Sequence, residues 1–194
     1  MLVDFGRYFI VKVIKMEKAI FMDLQGTLGG TGIDDIRNFK FYSNAIKAIN
    51  TFKEKGYLVF ILTNQSNIGR GMFSIEEFYE QSNKLFEGLE IDGVECCPHI
   101  EEQQCECKKP KTGMIVSFTD RFSIDLSESY VIGDMGKSDM VLAHNIGSKS
   151  ILVLTGVGQG SLNEFRHTWE SVQPTYIVND IYEAAMIVDD ISDK

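Results

Sequence analysis

Six short apolar segments, rich in β-branched or aromatic side chains, recur along the chain: Ala19 to Met22, Tyr57 to Leu62, Gly93 to Cys96, Tyr130 to Ile132, Ser150 to Leu154 and Thr175 to Val178. Runs this short and mostly apolar read as buried strands. Helix-like segments lie between them: Tyr42 to Lys55, with Ala45, Ile46, Ile49 and Phe52 on one face, then Ser74 to Leu89, Thr112 to Phe122, Asp139 to Asn145 and Ile181 to Val188. The second opens Ser-Ile-Glu-Glu, a capping-box signature, and Gly56 stops the first. Strand and helix alternating over short links predict an α/β fold: a doubly wound, mostly parallel sheet with helices on both faces. In such sheets a ligand sits beyond the carboxyl ends of the strands, where the strand order reverses.

Composition bounds the partners. The 194 residues, 44% of them apolar, suffice for one core, and no composition shift or repeat marks a second domain. With 19 Lys plus Arg against 28 Asp plus Glu, a net charge of -9 argues against nucleic acid or an anionic membrane as the main partner. No run is long and apolar enough for a membrane helix, and Lys12 interrupts the early apolar stretch, so no secretion signal is expected. Met16 looks like a natural lead into the first strand. Residues 1–15 are therefore expected to be an extension, and 16–194 one domain. Oligomeric state stays open, with a monomer as the default.

Polar residues cluster where the predicted strands end. Asp23 follows the first, Thr63 to Ser66 the second, and Asp134 the fourth, while Lys108 and Lys109 follow a cysteine-rich loop. A strand-end carboxylate, here Asp23, can attack phosphorus and form an aspartyl phosphate when a hard cation and fixed donors neutralise the transferring group. Asp134 would be a second oxygen ligand for Mg²⁺, and Asp139 could hold a metal-bound water. Thr63 and Asn64 offer a hydroxyl and an amide to the phosphoryl oxygens, and Lys109 a positive charge. Singly, each has a bland reading as a turn residue, cap or solvated charge. Their order along four strand ends carries the argument.

Cys97, His99, Cys105 and Cys107 supply three thiolates and an imidazole from two short turns, a ligand set suited to a closed tetrahedral structural Zn²⁺ site spanning 97–107. Unligated thiols and disulfides are the alternatives. Such clustering is unlike a secreted disulfide framework and suggests a reducing cytoplasm. Cys96 is expected to face the sheet as a small apolar residue.

These residues resemble the four motifs of the haloacid dehalogenase superfamily: Phe21-Met22-Asp23-Leu24-Gln25-Gly26-Thr27-Leu28, Thr63-Asn64-Gln65-Ser66, Lys109-Pro110, and Gly133-Asp134 through Asp139. The likeness covers nearly the whole chain from Met16. With TNQSNIGRGMF at 63–73, Cys-Pro-His and Cys-x-Cys-Lys-Lys-Pro, it is most similar to the heptose bisphosphate and histidinol-phosphate phosphatase branch. The resemblance implies a capless, Rossmann-like domain, catalysis through an aspartyl phosphate with Mg²⁺, and a sugar or small-metabolite phosphate monoester as substrate. It places Lys108 where an arginine often contacts substrate, and gives the metal a backbone carbonyl at position 25. Ser66 and Arg70 are further substrate-binding candidates, although Arg70 reads equally well as a plain surface charge.

One position departs from the superfamily pattern. Where its phosphatases carry a second Asp, which protonates the leaving oxygen and then deprotonates water, this chain has Gln25. An amide cannot exchange a proton near neutral pH, and loss of such a group typically lowers rate by ~10²–10⁴-fold. Three readings follow: a slow phosphatase favouring leaving groups that need little protonation, such as anomeric or acyl phosphates; a phosphate-ligand binding or regulatory protein; or a phosphotransferase or mutase using a long-lived aspartyl phosphate, for which no cap insertion speaks. His144, His167, Trp169, Phe73, Phe78 and Phe86 are read as structural or solvated. Thr155-Gly156-Val157-Gly158 has Gly-x-Gly but lacks the helix start of a dinucleotide site, and is expected to be a loop over the pocket rim.

Overall fold

The computed structural model describes residues 16–31 and 36–192, so the expected extension at 1–15 lies outside the described residues. β1 (Ala19–Met22) is buried at all four positions and runs parallel between β2 (Leu58–Asn64) and β4 (Tyr130–Gly133), with Met22 in register with both Ile61 and Ile132. β3 (Gly93–Cys97), β5 (Lys149–Val153) and β6 (Tyr176–Val178) complete one parallel sheet in the order β3-β2-β1-β4-β5-β6. From β1 the chain builds outward through β2 to β3, then returns to β4 on the far side of β1. The reversal opens a crevice between the carboxyl ends of β1 and β4.

Both faces of the sheet are covered, and strand alternation divides the core in two. Ile20, Met22, Val59 and Ile61 face α1 (Ala45–Glu54), α3 (Ile75–Leu85) and α7 (Ile181–Ser192). Ala19, Phe21, Phe60 and Leu62 face α4 (Gly113–Thr119) and α5 (Val141–Ile146). A single turn, α2 (Ser66–Gly69), and a short α6 (Gly158–Leu162) lie near the strand ends.

Several elements differ from the sequence reading in instructive ways. α1 buries Ala45, Ala48, Ile49 and Phe52, whereas Ile46 is 43% exposed: the 45, 48, 49, 52 spacing selects one face, and Ile46 sits about 100° off it. β2 runs two residues further than expected and so carries Thr63 and Asn64 within the strand. α5 is preceded by a π-helical turn at Gly136–Met140, where Gly136 lies so close to the Trp169 ring that a Cβ would come within 2.0 Å of Cε2. The Gly-x-Gly segment does open a helix, α6, contrary to expectation, although only one of five residues. The Ser74 cap behaves as its sequence suggests: Ser74 Oγ accepts from the Glu77 N–H at 3.1 Å, and Glu77 Oε2 accepts from the Ser74 N–H at 2.7 Å.

On the second face Phe60 stacks on Phe118 at 4.1 Å and on Phe21 at 5.4 Å between ring centroids, with Phe122 edge-on at 5.3 Å. Truncating Phe60 to alanine leaves a void that three facing rings cannot close together. Urea denaturation of Phe60→Ala is expected to show a loss of about 3–5 kcal/mol.

Candidate active site

The site is assembled from main-chain geometry at the crevice. Asp23 is the first residue beyond β1, and its N–H still donates to Ile132 O at 2.9 Å, which fixes the carboxylate at the β1–β4 junction. The chain then turns sharply: Gly26 adopts φ +83 and donates to Gly29 O at 2.7 Å, while buried Leu24 and Leu28 anchor the turn in the core. Asp134 follows β4 directly. Its Oδ2 accepts from the Val157 N–H at 2.8 Å and is walled in by two glycines; a Cβ on Gly26 or Gly156 would lie 2.0 or 2.1 Å from that oxygen.

Lys109 crosses beneath these carboxylates and is 5% exposed. Its Nζ donates to Asp23 Oδ1 at 2.6 Å and to Leu62 O at 2.9 Å. Asp139 Oδ1 lies 2.7 Å away, at ion-pair distance but without an aligned hydrogen bond, and so remains a buried acceptor with no aligned donor. Asn64 holds the lysine in place: its Oδ1 accepts from the Lys109 N–H at 3.0 Å and its Nδ2 donates to Lys109 O at 3.2 Å. This corrects the expected orientation of the Asn64 side chain, whose carbonyl and one amide proton face the Lys109 backbone.

Three carboxylates against one ammonium leave a net negative cluster. Burial, countered by Lys109 and reinforced by Asp139, pushes Asp23 up to about 6. Burial, with Asp23 and Asp139 adding to it, pushes Asp134 up to about 8. Burial opposes charge on Lys109 too, but Asp139 and Asp23 outweigh it and raise its pKa. One oxygen from each of Asp23, Asp134 and Asp139 falls within 4.8 Å of the others. An octahedral hard cation with ~2.1 Å bonds spans oxygens about 3–4 Å apart, so the orphaned acceptor, the charge imbalance and the all-oxygen donor set fit Mg²⁺ with modest closure.

The surrounding cleft, of about 100 Å³, brings together seven of the expected residues: Asp23, Gln25, Thr63, Asn64, Lys109, Asp134 and Asp139. Thr63 Oγ1 donates to Gln25 Oε1 at 2.9 Å and accepts from Gln65 Nε2 at 3.0 Å, so the Gln25 side chain faces the cleft wall beside Asp23. Asp139 Oδ2 accepts from the Met135 N–H at 3.1 Å. Ser66, Lys108 and Arg70 stand apart. Lys108 Nζ donates to Ser66 Oγ at 2.7 Å, and both donate to His99 O at 3.1 Å, along a separate cavity of about 520 Å³ that reaches Lys109. Arg70 is exposed and donates to Asn67 Oδ1 at 3.0 Å, the behaviour of a surface charge. A mostly apolar cleft of about 170 Å³ adjoins the site and shares Met135 and Val157 with it. Sequence reasoning missed Gln65 and the Val157 N–H: the former lies inside a motif but gives no sign of which neighbour it holds, and the latter is a backbone group.

Beside the site, Cys97, His99, Cys105 and Cys107 converge. Cys97 Sγ lies 3.6 Å from His99 Nδ1 and 3.5 Å from Cys105 Sγ, and Cys107 Sγ is 3.2 Å from His99 Nδ1 and 3.5 Å from Cys105 Sγ. With Zn–S bonds of 2.3 Å a tetrahedral site has edges of about 3.8 Å, so the cluster could hold zinc. No disulfide links the four cysteines. Cys96 is buried in the opposite core beside Tyr79, as expected, and burial raises its pKa to about 12.

A parallel sheet with a strand-end carboxylate trio and a buried lysine at its reversal point defines a phosphotransfer-type hydrolase of the haloacid dehalogenase kind. Comparison with known proteins agrees. A family model described as HAD-hydrolase-like matches residues 106–184. The chain is 36% identical over 153 residues to the D-glycero-beta-D-manno-heptose-1,7-bisphosphate 7-phosphatase of Yersinia pestis, covering 71% of this chain and 81% of that protein. It is 35% identical over 157 residues to the enzyme of that name from Escherichia coli, covering 73% and 82%. In structure it is similar to the D,D-heptose 1,7-bisphosphate phosphatase of B. bronchiseptica, solved with magnesium and phosphate (TM-score 0.77, 23% identity, 90% of this chain and 99% of that one). The chain therefore belongs to the haloacid dehalogenase superfamily, in its heptose bisphosphate phosphatase family, and is a phosphoric monoester hydrolase.

The raised Asp134 pKa has a sign that can be tested. The native state keeps a proton that the unfolded chain releases above the ordinary value of 3.8, so the metal-free protein loses stability as pH rises from about 4 to about 8. Thermal melts in chelator should show this fall, and Asp134→Asn should flatten it above pH ~6. Parallel slopes for the two proteins would refute the assignment.

Proposed function

We propose that the protein hydrolyses a phosphate monoester of a sugar or small metabolite, with Mg²⁺, through an aspartyl phosphate on Asp23. Asp23, Asp134, the backbone carbonyl of Gln25 and, through a water, Asp139 would hold the cation, which when bound offsets negative charge on the carboxylates and the transferring group. Asp23 is the nucleophile: a carboxylate oxygen attacks phosphorus while Lys109, already 2.6 Å from Asp23, stabilises the charge gathering on the phosphoryl oxygens. Gln25, its carbonyl held by the Thr63 hydroxyl, lines that position with Thr63 beside it, and Asn64 serves it by holding Lys109. The observation that carries this reading is the buried Asp23–Lys109–Asp139 contact with Asp134 beside it, an arrangement with little value for stability but a clear use at a reacting phosphate.

The names of the relatives make heptose bisphosphate the first substrate to try. Its organic part has two ways out of the cleft, the apolar surface at Met135 and Val157 and the larger cavity where Lys108 stands. Lys108 and Ser66 would contact substrate there, with Arg70 a more remote candidate. Among the described residues no helix is long and apolar enough to cross a membrane, in keeping with a cytoplasmic enzyme acting on a small molecule, a monomer by default. We take 16–194 as one domain. The Cys97, His99, Cys105 and Cys107 cluster is read as a structural Zn²⁺ site that fixes the loop carrying Lys108 and Lys109.

Gln25 makes the enzyme slow. A second reading, a phosphate-ligand binding or regulatory protein, is favoured by the same residue, whose amide cannot act as acid or base. Assayed with Mg²⁺ on a panel of sugar phosphates, Gln25→Asp should exceed the wild type by about 10²–10⁴-fold in kcat. A wild type with no turnover on any ester, beside an active Gln25→Asp, would favour the binding protein. Asp23→Asn should abolish turnover in either background. For the metal loop, zinc content should be one ion per chain, and its removal or Cys105→Ser should cost at least about 2 kcal/mol, lowering Tm by roughly 4–8 °C. A chain of full stability that holds no zinc would sink that part.

A further inference from the structure

The cleft around Asp23 lacks a side chain suited to taking a proton from water. Among the described residues that line it there is no histidine and no glutamate. Lys109 Nζ is enclosed by Asp23 Oδ1 at 2.6 Å, Asp139 Oδ1 at 2.7 Å and Leu62 O at 2.9 Å, so its donors are already engaged. Thr63 uses its proton on Gln25 Oε1 while accepting from Gln65 Nε2. That chain fixes the amide of Gln25 through its carbonyl, and an amide can steady a phosphoryl oxygen but cannot receive a proton. The two carboxylates besides Asp23 belong to the cation cluster, where Asp134 accepts from the Val157 N–H and Asp139 from the Met135 N–H, with Lys109 against its other oxygen.

The two halves of the reaction make different demands on such a group. In the first, an Asp23 oxygen bonds to phosphorus as the bond from phosphorus to the leaving oxygen breaks. An alkoxide must take up a proton as it departs. The leaving group of an acyl phosphate is a carboxylate whose conjugate acid has a pKa of ~4; it departs with the bonding electron pair and needs no proton. In the second half, water bonds to phosphorus, gives a proton to a base, and the bond between phosphorus and Asp23 breaks to release inorganic phosphate. A site without the proton carrier is therefore competent in the first half with an acyl phosphate and impaired in the second with every donor.

Resting on Asp23 as the nucleophile, the geometry points to a phosphoryl-accepting activity: the protein takes the phosphoryl group of small acyl phosphates onto Asp23 and retains it as a long-lived aspartyl phosphate, whose lifetime is set by Gln25. With acyl donors the first step runs without general acid, while release is slower by about 10²–10⁴-fold than in a site with a carboxylate at position 25. Phosphoenzyme then accumulates, and the carboxylate leaving group appears as one burst per site followed by a slow phase, while inorganic phosphate appears only at the slow rate.

The test uses the full chain with Mg²⁺ and acetyl phosphate, read by intact-protein mass and by rapid-mix acetate release, with phosphate release followed beside it. Wild type should gain the mass of one phosphoryl group, removable by hydroxylamine, and Asp23→Asn should gain none. Gln25→Asp, and Gln25→Glu as a second variant that keeps the side-chain length, should release phosphate continuously and accumulate about 10²–10⁴-fold shorter-lived phosphoenzyme. If wild type gains no phosphoryl group while Gln25→Asp hydrolyses acetyl phosphate and sugar phosphates, the inference is overturned and the Asp23 mechanism stands. Burst-free acetate release at equal rates from wild type and Gln25→Asp also overturns it. If neither protein reacts with any donor, the Asp23 reading itself fails.

Discussion

A buried ammonium between carboxylates organises this molecule. Lys109 Nζ sits within 2.7 Å of both Asp23 and Asp139 and also donates to a strand carbonyl, Leu62 O. Such a group is tolerated in a core only because each of its neighbours is an acceptor. Everything needed to build that environment comes from elsewhere in the chain: β1 delivers Asp23, β4 and the wide turn after it deliver Asp134 and Asp139, β2 supplies Leu62 and the Asn64 clamp, and the cysteine loop brings in Lys109. The sheet order places all of these at one reversal point, so topology and electrostatics share one centre.

The balance of charge there is deliberately incomplete. One positive charge serves three carboxylates, burial raises the pKa values of Asp23 and Asp134, and Asp139 retains an oxygen without an aligned donor. These are the marks of a site that works with a further cation rather than of an ion-pair network built for stability. Gln25 stands against this background as a neutral group in a charged pocket, tied to Thr63.

Much of this was legible in the residues because the signals were local and repeated. Six strands announced themselves by composition, although β6 leaves Ile177 45% exposed at the sheet edge, and the order of Asp23, Thr63, Lys109 and Asp134 along the chain mirrored their spatial convergence. What could not be read was the direction of polar side chains. Asn64 was expected to point at phosphate, yet it clamps the Lys109 peptide; nothing in an isolated Asn states which backbone it will meet. Lys108 was grouped with the site by its place in the family motif, and nothing in the residues showed that it would bond to Ser66 and to the carbonyl of His99. The π-helical turn at Gly136–Met140 was invisible, and the Trp169 ring packed on Gly136 lies more than thirty residues downstream. Long-range packing of this kind overrides local periodicity.

Cys96 and Cys97 are adjacent in β3 and point to opposite faces of the sheet, one into the apolar core beside Tyr79 and the other into the thiol cluster. β3 is also an outer strand, paired with β2 alone. The register of an outer strand is held by one ladder of hydrogen bonds and by the burial of its side chains. Here a slip of one residue would exchange the two sulfurs, presenting the core with the thiol meant for the loop and drawing Cys97 away from His99. The cluster thus acts as a ratchet pin on the edge of the sheet, selecting a single alignment for the strand whose neighbour ends in Thr63 and Asn64.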